Sequence, residues 1–201
     1  MLKNHEFNRI KHLTFDMVNA YHSVNDKDTL AAVYAQVVAE IEGLTDELAD
    51  FIEAIGDQKL STEQAERLLE GLKPMVEAFE MPGNMAKLFK KVKKLKVPDM
   101  EMTDLKAYSF YAWNDIASGR KYIVTGDGQG YWGTISGQTQ NICSICQKTS
   151  AVTQFLAVTK SGADGTYTKQ GNYICLDSEQ CNRQIQQLEG LNGFLESIRP
   201  K

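Results

Sequence analysis

The sequence lacks the long apolar segments that membrane proteins and secreted precursors carry. No run approaches the roughly 18 apolar residues that a membrane span needs, and the first residues, Met1 to Glu6, contain no apolar stretch of the kind found in a signal peptide. The 201 residues are 42% hydrophobic and 24% charged, which is an ordinary globular composition. We therefore expect a soluble protein of the cytoplasm that has no membrane partner.

The sequence is also poor in the residue patterns that enzymes use. Its three histidines all lie within the first 22 residues and lack the HExxH spacing of zinc proteases. Residues Gly128–Gly133 match the GxGxxG spacing of dinucleotide-binding loops, but a strand-like pattern follows where that motif requires a helix. No acidic residue lies between Asp127 and Asp164 to bind a ribose. With no nucleophile paired to a base and no phosphate loop, the sequence disfavours an enzyme.

Acidic and basic residues are distributed unevenly along the chain. Residues 1–81 carry 7 Lys and Arg against 16 Asp and Glu, a net charge of −9, whereas residues 82–201 carry 15 against 10, a net charge of +5. The step falls at Pro82-Gly83, a pair that interrupts regular secondary structure. We therefore predict two domains, residues 1–81 and 82–201, and expect the basic one to accommodate a phosphate or an acidic protein.

Apolar residues recur every three or four positions within residues 1–81, which predicts four amphipathic helices. Asn25, Thr45 and Ser61 are suited to cap the second, third and fourth helices, and the last of these forms a capping box with Gln64. Gly43 and Gly56 are expected to end the second and third helices in the left-handed conformation. Short links between the helices predict a small antiparallel bundle.

A fifth helix is predicted over residues 84–96, ended by Pro98. Its inward positions are Met85, Leu88, Val92 and Leu95. Six lysines lie among residues 87–96, and two interpretations of them stay open. They form either a solvated face whose stems cover apolar surface or a contact surface for a partner.

After Thr103 the pattern changes to that of β-strands. Gly126-Asp127-Gly128 has the composition of a hairpin turn. The predicted elements are, in order, a hairpin of Lys121–Thr125 and Tyr131–Ile135, strands at 151–160 and 167–175, and a helix from about Glu179. The predicted fold class is therefore α+β, with an N-terminal antiparallel helical bundle followed by a mixed α/β domain.

All four cysteines lie in the last third of the sequence and form two pairs separated by 28 residues: Cys143 with Cys146, and Cys175 with Cys181. Disulfides are rare in a reducing cytosol, so metal ligation is preferred over a redox CxxC or buried apolar thiols. Four thiolates complete the coordination of one structural zinc ion and leave no place for an activating water. A CxxC turn, a hairpin and a helix in this order predict a treble-clef-like zinc finger over about residues 140–201.

Several short segments, in one order, carry a resemblance that extends over most of the chain. They are Val24–Lys27, Phe89–Lys96, Trp113-Asn114, Ser118–Ile123, Cys143–Cys146, Gly165–Lys169, Gly171–Cys175, Asp177-Ser178 and Cys181-Asn182. Together they resemble the FusB-type elongation factor G-binding proteins, which confer resistance to fusidic acid. The resemblance implies a helical-bundle domain followed by an α/β domain that contains a four-cysteine zinc finger.

The resemblance also implies a function. Such proteins are non-enzymatic adaptors of translation that bind elongation factor G through the zinc-containing domain and promote its release from the ribosome, which protects against fusidic acid. The contact positions of the family align with Ile142, Gln170, Tyr173 and Phe194 of this chain. Resistant members carry an aromatic residue at the first position and a lysine at the second, so weaker drug protection is expected here. We expect a monomer.

Two alternatives stay open. Phe194 also fits the apolar stripe of the terminal helix, which would make it a core residue. A ribosomal RNA-binding zinc protein that uses the basic helix Lys87–Lys96 is the second candidate function. Salt-sensitive RNA binding in the absence of elongation factor G would favour it.

Overall fold

The structure, a computed structural model, describes residues 1–90, 92 and 94–200. The chain divides into two compact units, Met1–Glu77 and Ala78–Lys201. The division lies four residues before the charge step at residue 81. Within the described residues, no helix is both long and apolar enough to span a membrane.

The first unit is helical. Its helices are α1 (Asn4–Ser23), α2 (Lys27–Glu42), α3 (Ala49–Ile55) and α4 (Thr62–Leu72). Helix α1 contacts α2 and α4, and α4 contacts α3. Their apolar faces share one buried core, which includes Ile10, Met17, Ile41, Ile55 and Leu69. The four predicted helices are therefore present.

The two ends of the first unit are joined through the backbone. The Leu2 N–H donates to the Met75 carbonyl at 2.9 Å, and the Glu77 N–H donates to the Leu2 carbonyl at 2.9 Å. Leu2 itself is buried in the helical core. These hydrogen bonds form an isolated parallel β-bridge between Leu2 and Val76. Val76 is the last residue of the helical core, so the bridge lies at the end of the first unit.

Side-chain capping accounts for where two of these helices begin. The Ser61 hydroxyl accepts the Gln64 N–H at 3.2 Å, and the Gln64 side chain accepts the Ser61 N–H at 2.9 Å, which is the predicted capping box of α4. For α2 the prediction of Asn25 was wrong by one residue. Asp26 caps this helix because its carboxylate accepts the Thr29 N–H at 2.7 Å.

Three further helix ends differ from the prediction. Gly43 and Gly56 end α2 and α3 with φ of −67° and −72°, in the right-handed region and not the left-handed one. Thr45 does not cap α3, because its hydroxyl accepts the Glu47 N–H at 3.2 Å and the helix begins only at Ala49. At Thr45 a local hydrogen bond within the turn therefore replaces the predicted helix cap.

The second unit is built on a five-stranded sheet. Its strands are β1 (Tyr111–Asp115), β2 (Arg120–Val124), β3 (Gly130–Ile142), β4 (Thr149–Ser161) and β5 (Tyr167–Cys175). They pair antiparallel in sequence order, so that β1 and β5 are the edges. The fold class is therefore α+β, as predicted, and the second unit is an antiparallel sheet with segregated helices and not an alternating α/β arrangement.

The described residues of this unit form three α-helices, α5 (Met85–Leu88), α6 (Ser178–Gln184) and α7 (Glu189–Ser197), and a short 3-10 helix, Leu105–Ala107. The single terminal helix expected from Glu179 is thus two helices. Ile185 leaves the helical conformation with ψ of 126° and is fully buried. The helix breaks at Ile185, and this side chain is buried in the core. The apolar pattern of the sequence alone does not predict this break.

The helix predicted over residues 84–96 was wrong, because α5 ends at Leu88. Phe89 has φ and ψ of −116° and 44° and is buried. Its ring lies edge-on to Trp113 and Tyr122, with centroid distances of 5.8 and 5.2 Å. Packing in this aromatic cluster, on one face of the sheet, outweighs continuation of the helix.

The lysines of this segment therefore do not lie along one helix. Lys94 has φ of 57°, in the left-handed region, and the Trp113 indole N–H donates to the Lys96 carbonyl at 3.0 Å. Lys91 and Lys93 lie outside the described residues. The basic recognition helix on which the RNA-binding alternative depends is not formed by the described part of Lys87–Lys96.

Candidate metal centre and partner surface

The four cysteines come from three separate elements. Cys143 and Cys146 lie in the turn between β3 and β4, Cys175 is the last residue of β5, and Cys181 lies in the first turn of α6. The turn is closed by the Gln147 N–H, which donates to the Cys143 carbonyl at 2.9 Å. All four side chains are buried.

The four sulfurs lie close enough together to hold one metal ion. Cys143 Sγ lies 3.8 Å from Cys181 Sγ, and Cys146 Sγ lies 3.7 Å from Cys175 Sγ. All four sulfurs lie within 4.8 Å of one another. A regular tetrahedron with zinc–sulfur distances of about 2.3 Å places its sulfurs about 3.8 Å apart. The donor set therefore fits a closed, structural zinc site.

Backbone groups support negative charge on the cluster. The N–H groups of Ile145 and Cys175 each donate to Cys143 Sγ at 3.3 Å. Asp177 caps α6 by accepting the N–H groups of Glu179 and Gln180 at 2.8 and 3.1 Å. Asp177 is therefore the N-cap of α6. This cap sets the start of the helix that carries the fourth cysteine.

Crowding of the thiols perturbs their ionisation. Hydrogen bonds from Cys146, then Cys175 and Cys181, lower the pKa of Cys143. Hydrogen bonding to Cys143 first, then to the other thiols, raises the pKa of Cys181. Like charges this close cannot all form without a compensating cation. The cluster thus has the chemistry of a metal site more than that of four independent thiols.

The helices around the cluster are positioned by the side-chain hydrogen bonds of Asn182 and by a close backbone approach at Gly190. Asn182 is buried in α6, accepts the Ser109 N–H at 2.7 Å and donates to the Phe110 carbonyl at 2.9 Å. Gly190, in α7, lies so close to the CxxC turn that a Cβ there would be 2.4 Å from the Ile145 carbonyl oxygen. Both α6 and α7 are therefore positioned against the cysteine cluster.

Sequence reasoning missed Asn114 and Lys121 as part of this site. Asn114 Nδ2 and Lys121 Nζ each donate to the Leu176 carbonyl at 3.0 Å, next to Cys175. The signal was available in the alternation of β2, because Lys121 shares a face with Ile123 and that residue belongs to the core around the cysteines. Both missed residues also lie in segments that carry the family resemblance.

The predicted partner residues fall into two groups. Ile142 is 58% exposed immediately before Cys143, and Tyr173 is 38% exposed on β5. The Tyr173 carbonyl accepts the Ser144 N–H at 2.9 Å, which ties β5 to the CxxC turn. Phe194, by contrast, is only 4% exposed, and its ring packs edge-on against Phe155 at 5.5 Å. The structure favours the core alternative for Phe194.

Gln170 and Tyr173 occupy opposite faces of the same strand. Gln170 pairs with Ala157 and Tyr173 with Gln154, without a bulge between them. Because side chains alternate along a strand, residues three apart point to different sides. Both are exposed on β5, which is an edge strand. A partner that contacts both must therefore approach the β5 edge.

Comparison with known proteins agrees with this architecture. The fold and the site define a class of protein: an α+β protein whose first unit is helical and whose second unit has a four-cysteine cluster beside an antiparallel sheet. Residues 1–80 match the family described as elongation factor G-binding protein, N-terminal. The chain is also similar to the solved structure of the fusidic acid resistance protein FusC, with 34% identity and a TM-score of 0.93, over 99% of this chain and 98% of that one. Among curated proteins no sequence matches significantly.

An identity of 34% over nearly the full length of both chains establishes membership. The chain belongs to the FusB-type family of fusidic acid resistance proteins. The resemblance found in the sequence is thereby confirmed.

Proposed function

We propose that the protein is a zinc-containing, non-enzymatic adaptor that binds elongation factor G in the cytoplasm, promotes its release from the ribosome and thereby protects translation against fusidic acid. The similarity to FusC over the whole chain is the observation that carries the proposal. The N-terminal family description, which names elongation factor G, supports the choice of partner. We further propose that the protein acts as a monomer.

One zinc ion is proposed to be held by Cys143, Cys146, Cys175 and Cys181. When bound, it cross-links the turn, β5 and α6, and its coordination shell is filled by protein. The protein residues then hold the β5 edge in one conformation: the Ser144 N–H binds the Tyr173 carbonyl, and Asp177 caps α6. A rigid edge reduces the ordering cost of binding a partner.

Release of elongation factor G would follow from differential binding. An adaptor that prefers the released conformation of its partner shifts the equilibrium by the difference between the two affinities, without a covalent step. Ile142 replaces an aromatic anchor and Gln170 a lysine of resistant family members. Each change is expected to weaken the interface by about 1 kcal/mol or more. The adaptor would then bind its partner while giving less drug protection.

Tyr173→Ala is expected to weaken binding of elongation factor G by about 1–3 kcal/mol without loss of zinc or thermal stability, because Tyr173 is an exposed aromatic beside the metal site. Isothermal titration calorimetry with purified elongation factor G measures the effect. Tyr167→Ala is the matched control, since Tyr167 is an exposed aromatic six residues away on the same face of β5. Equal binding by wild type and a folded Tyr173→Ala variant contradicts the proposed surface.

A fragment of residues 78–201 is expected to bind elongation factor G with nearly the affinity of the full chain, because the β5 edge and the cysteine cluster lie within this unit. The fragment of residues 1–77 is acidic and should bind far more weakly. Pull-down and calorimetry with both fragments, each checked for folding by circular dichroism, test the assignment. Binding by the helical fragment alone would reverse the roles of the two units.

A further inference from the structure

Lys121 is a buried cation on the side of the sheet that faces the cysteine cluster. It is 1% exposed and lies on β2 opposite Asn114. Its Nζ donates to Asn114 Oδ1 and to the Leu176 carbonyl, both at 3.0 Å. Within the described residues it has no ion pair with a carboxylate. Neutral acceptors alone therefore hold this ammonium group.

Burial of an ammonium group without an opposite charge is unfavourable. Desolvation lowers the pKa of Lys121 to about 8, while Cys181, Cys175, Asp177 and Cys143 act in the opposite direction. A permanent negative charge nearby would stabilise the buried ammonium group of Lys121.

The proposed metal centre supplies that charge. Four thiolates around one divalent ion carry a net charge of −2, and such a centre in a buried site itself needs compensation. Leu176, whose carbonyl holds Lys121, is flanked by Cys175 and by Asp177, the cap of the helix that carries Cys181. The Leu176 carbonyl therefore holds the Lys121 ammonium group between Cys175 and the start of the helix that carries Cys181.

We propose that Lys121 is the fixed counter-charge of the metal centre and that Asn114 orients it, so that the pair favours the zinc-loaded protein over the metal-free one. This inference rests on the zinc site of the proposed function. It assigns to Lys121 a role in metal affinity and not in contact with the partner.

The test is zinc competition with a coloured chelator, using the full-length chain. Lys121→Met keeps an unbranched side chain that is one atom shorter and removes its charge, and the zinc dissociation constant is expected to rise about tenfold or more, the usual effect of outer-shell partners. Asn114→Asp leaves Lys121 in place but pairs it with a carboxylate, so it should raise the dissociation constant as well. Lys160→Met removes one exposed charge of the same sheet and should bind zinc as wild type does.

The outcomes separate the two proposals. A lysine that is merely buried is a cost to the fold, so its replacement by methionine would leave zinc affinity unchanged or strengthen it. Either result, with tight zinc binding by wild type, overturns the counter-charge role alone. If Lys121→Met fails to fold, wild-type affinity in Asn114→Asp overturns it equally. If wild type binds no zinc, the metal assignment itself fails.

Discussion

A Cys143→Ser, Cys146→Ser double variant is expected to lose its zinc and, with it, the fold of the second unit. Structural zinc contributes on the order of 10–16 kcal/mol in finger peptides, whereas whole domains are stable by only about 5–15 kcal/mol. Metal analysis should give one zinc per chain for wild type and none for the variant. Circular dichroism should show that helical structure survives, because the first unit has its own core.

Ser144→Ala is the control for this experiment, since it alters the same turn but removes no sulfur. It should retain the zinc and the wild-type melting temperature. Purified wild type that holds far less than one zinc per chain, without exposure to a chelator, would contradict the assignment. A double variant with an unchanged fold would show that the cluster is not a stabilising metal site.

Phe194→Ala is expected to reduce the free energy of unfolding by about 3–5 kcal/mol, because the substitution leaves a cavity where the ring packs against Phe155. Chemical denaturation measures the loss. Binding of elongation factor G should weaken only to the extent that the protein unfolds. Asn192→Ala, at an exposed position of the same helix, should remain as stable as wild type.

The opposite result for Phe194 would restore the role that the family resemblance implies. If Phe194→Ala keeps its stability but no longer binds elongation factor G, the ring must leave the core to meet the partner. Comparison with Tyr173→Ala then decides whether the two residues act on one surface. In the structure Tyr173 lies on the surface, whereas Phe194 is buried in the core beneath the sheet.

Much of the fold followed from local patterns in the sequence. The capping box of Ser61 and Gln64 marks the start of α4 because its two hydrogen bonds form within one turn. The β-rich composition of residues 167–175 predicts β5 with the bounds observed. The spacing of the cysteines predicts their convergence, since a CxxC turn and a strand–helix junction each bring two sulfurs together.

Local patterns failed where distant side chains compete with them. The apolar spacing of residues 84–96 is helical, yet Phe89 leaves the helix to enter an aromatic cluster with Trp113 and Tyr122. Ile185 likewise breaks the terminal helix in order to be buried. In both cases packing with residues far along the chain outweighs helix propensity, which is a weak preference for any single residue.

The sequence by itself therefore predicted a two-part organisation, the clustering of the four cysteines and the family, because each is read from residue types and their spacing along the chain. Only the tertiary structure decided that Phe194 is core, that Gln170 and Tyr173 lie on opposite sides of an edge strand, and that Lys121 is buried beside the cysteines. Those properties depend on which strands are neighbours and which faces are covered. Contacts between residues as distant as Lys121 and Leu176 are created by folding and have no local signature.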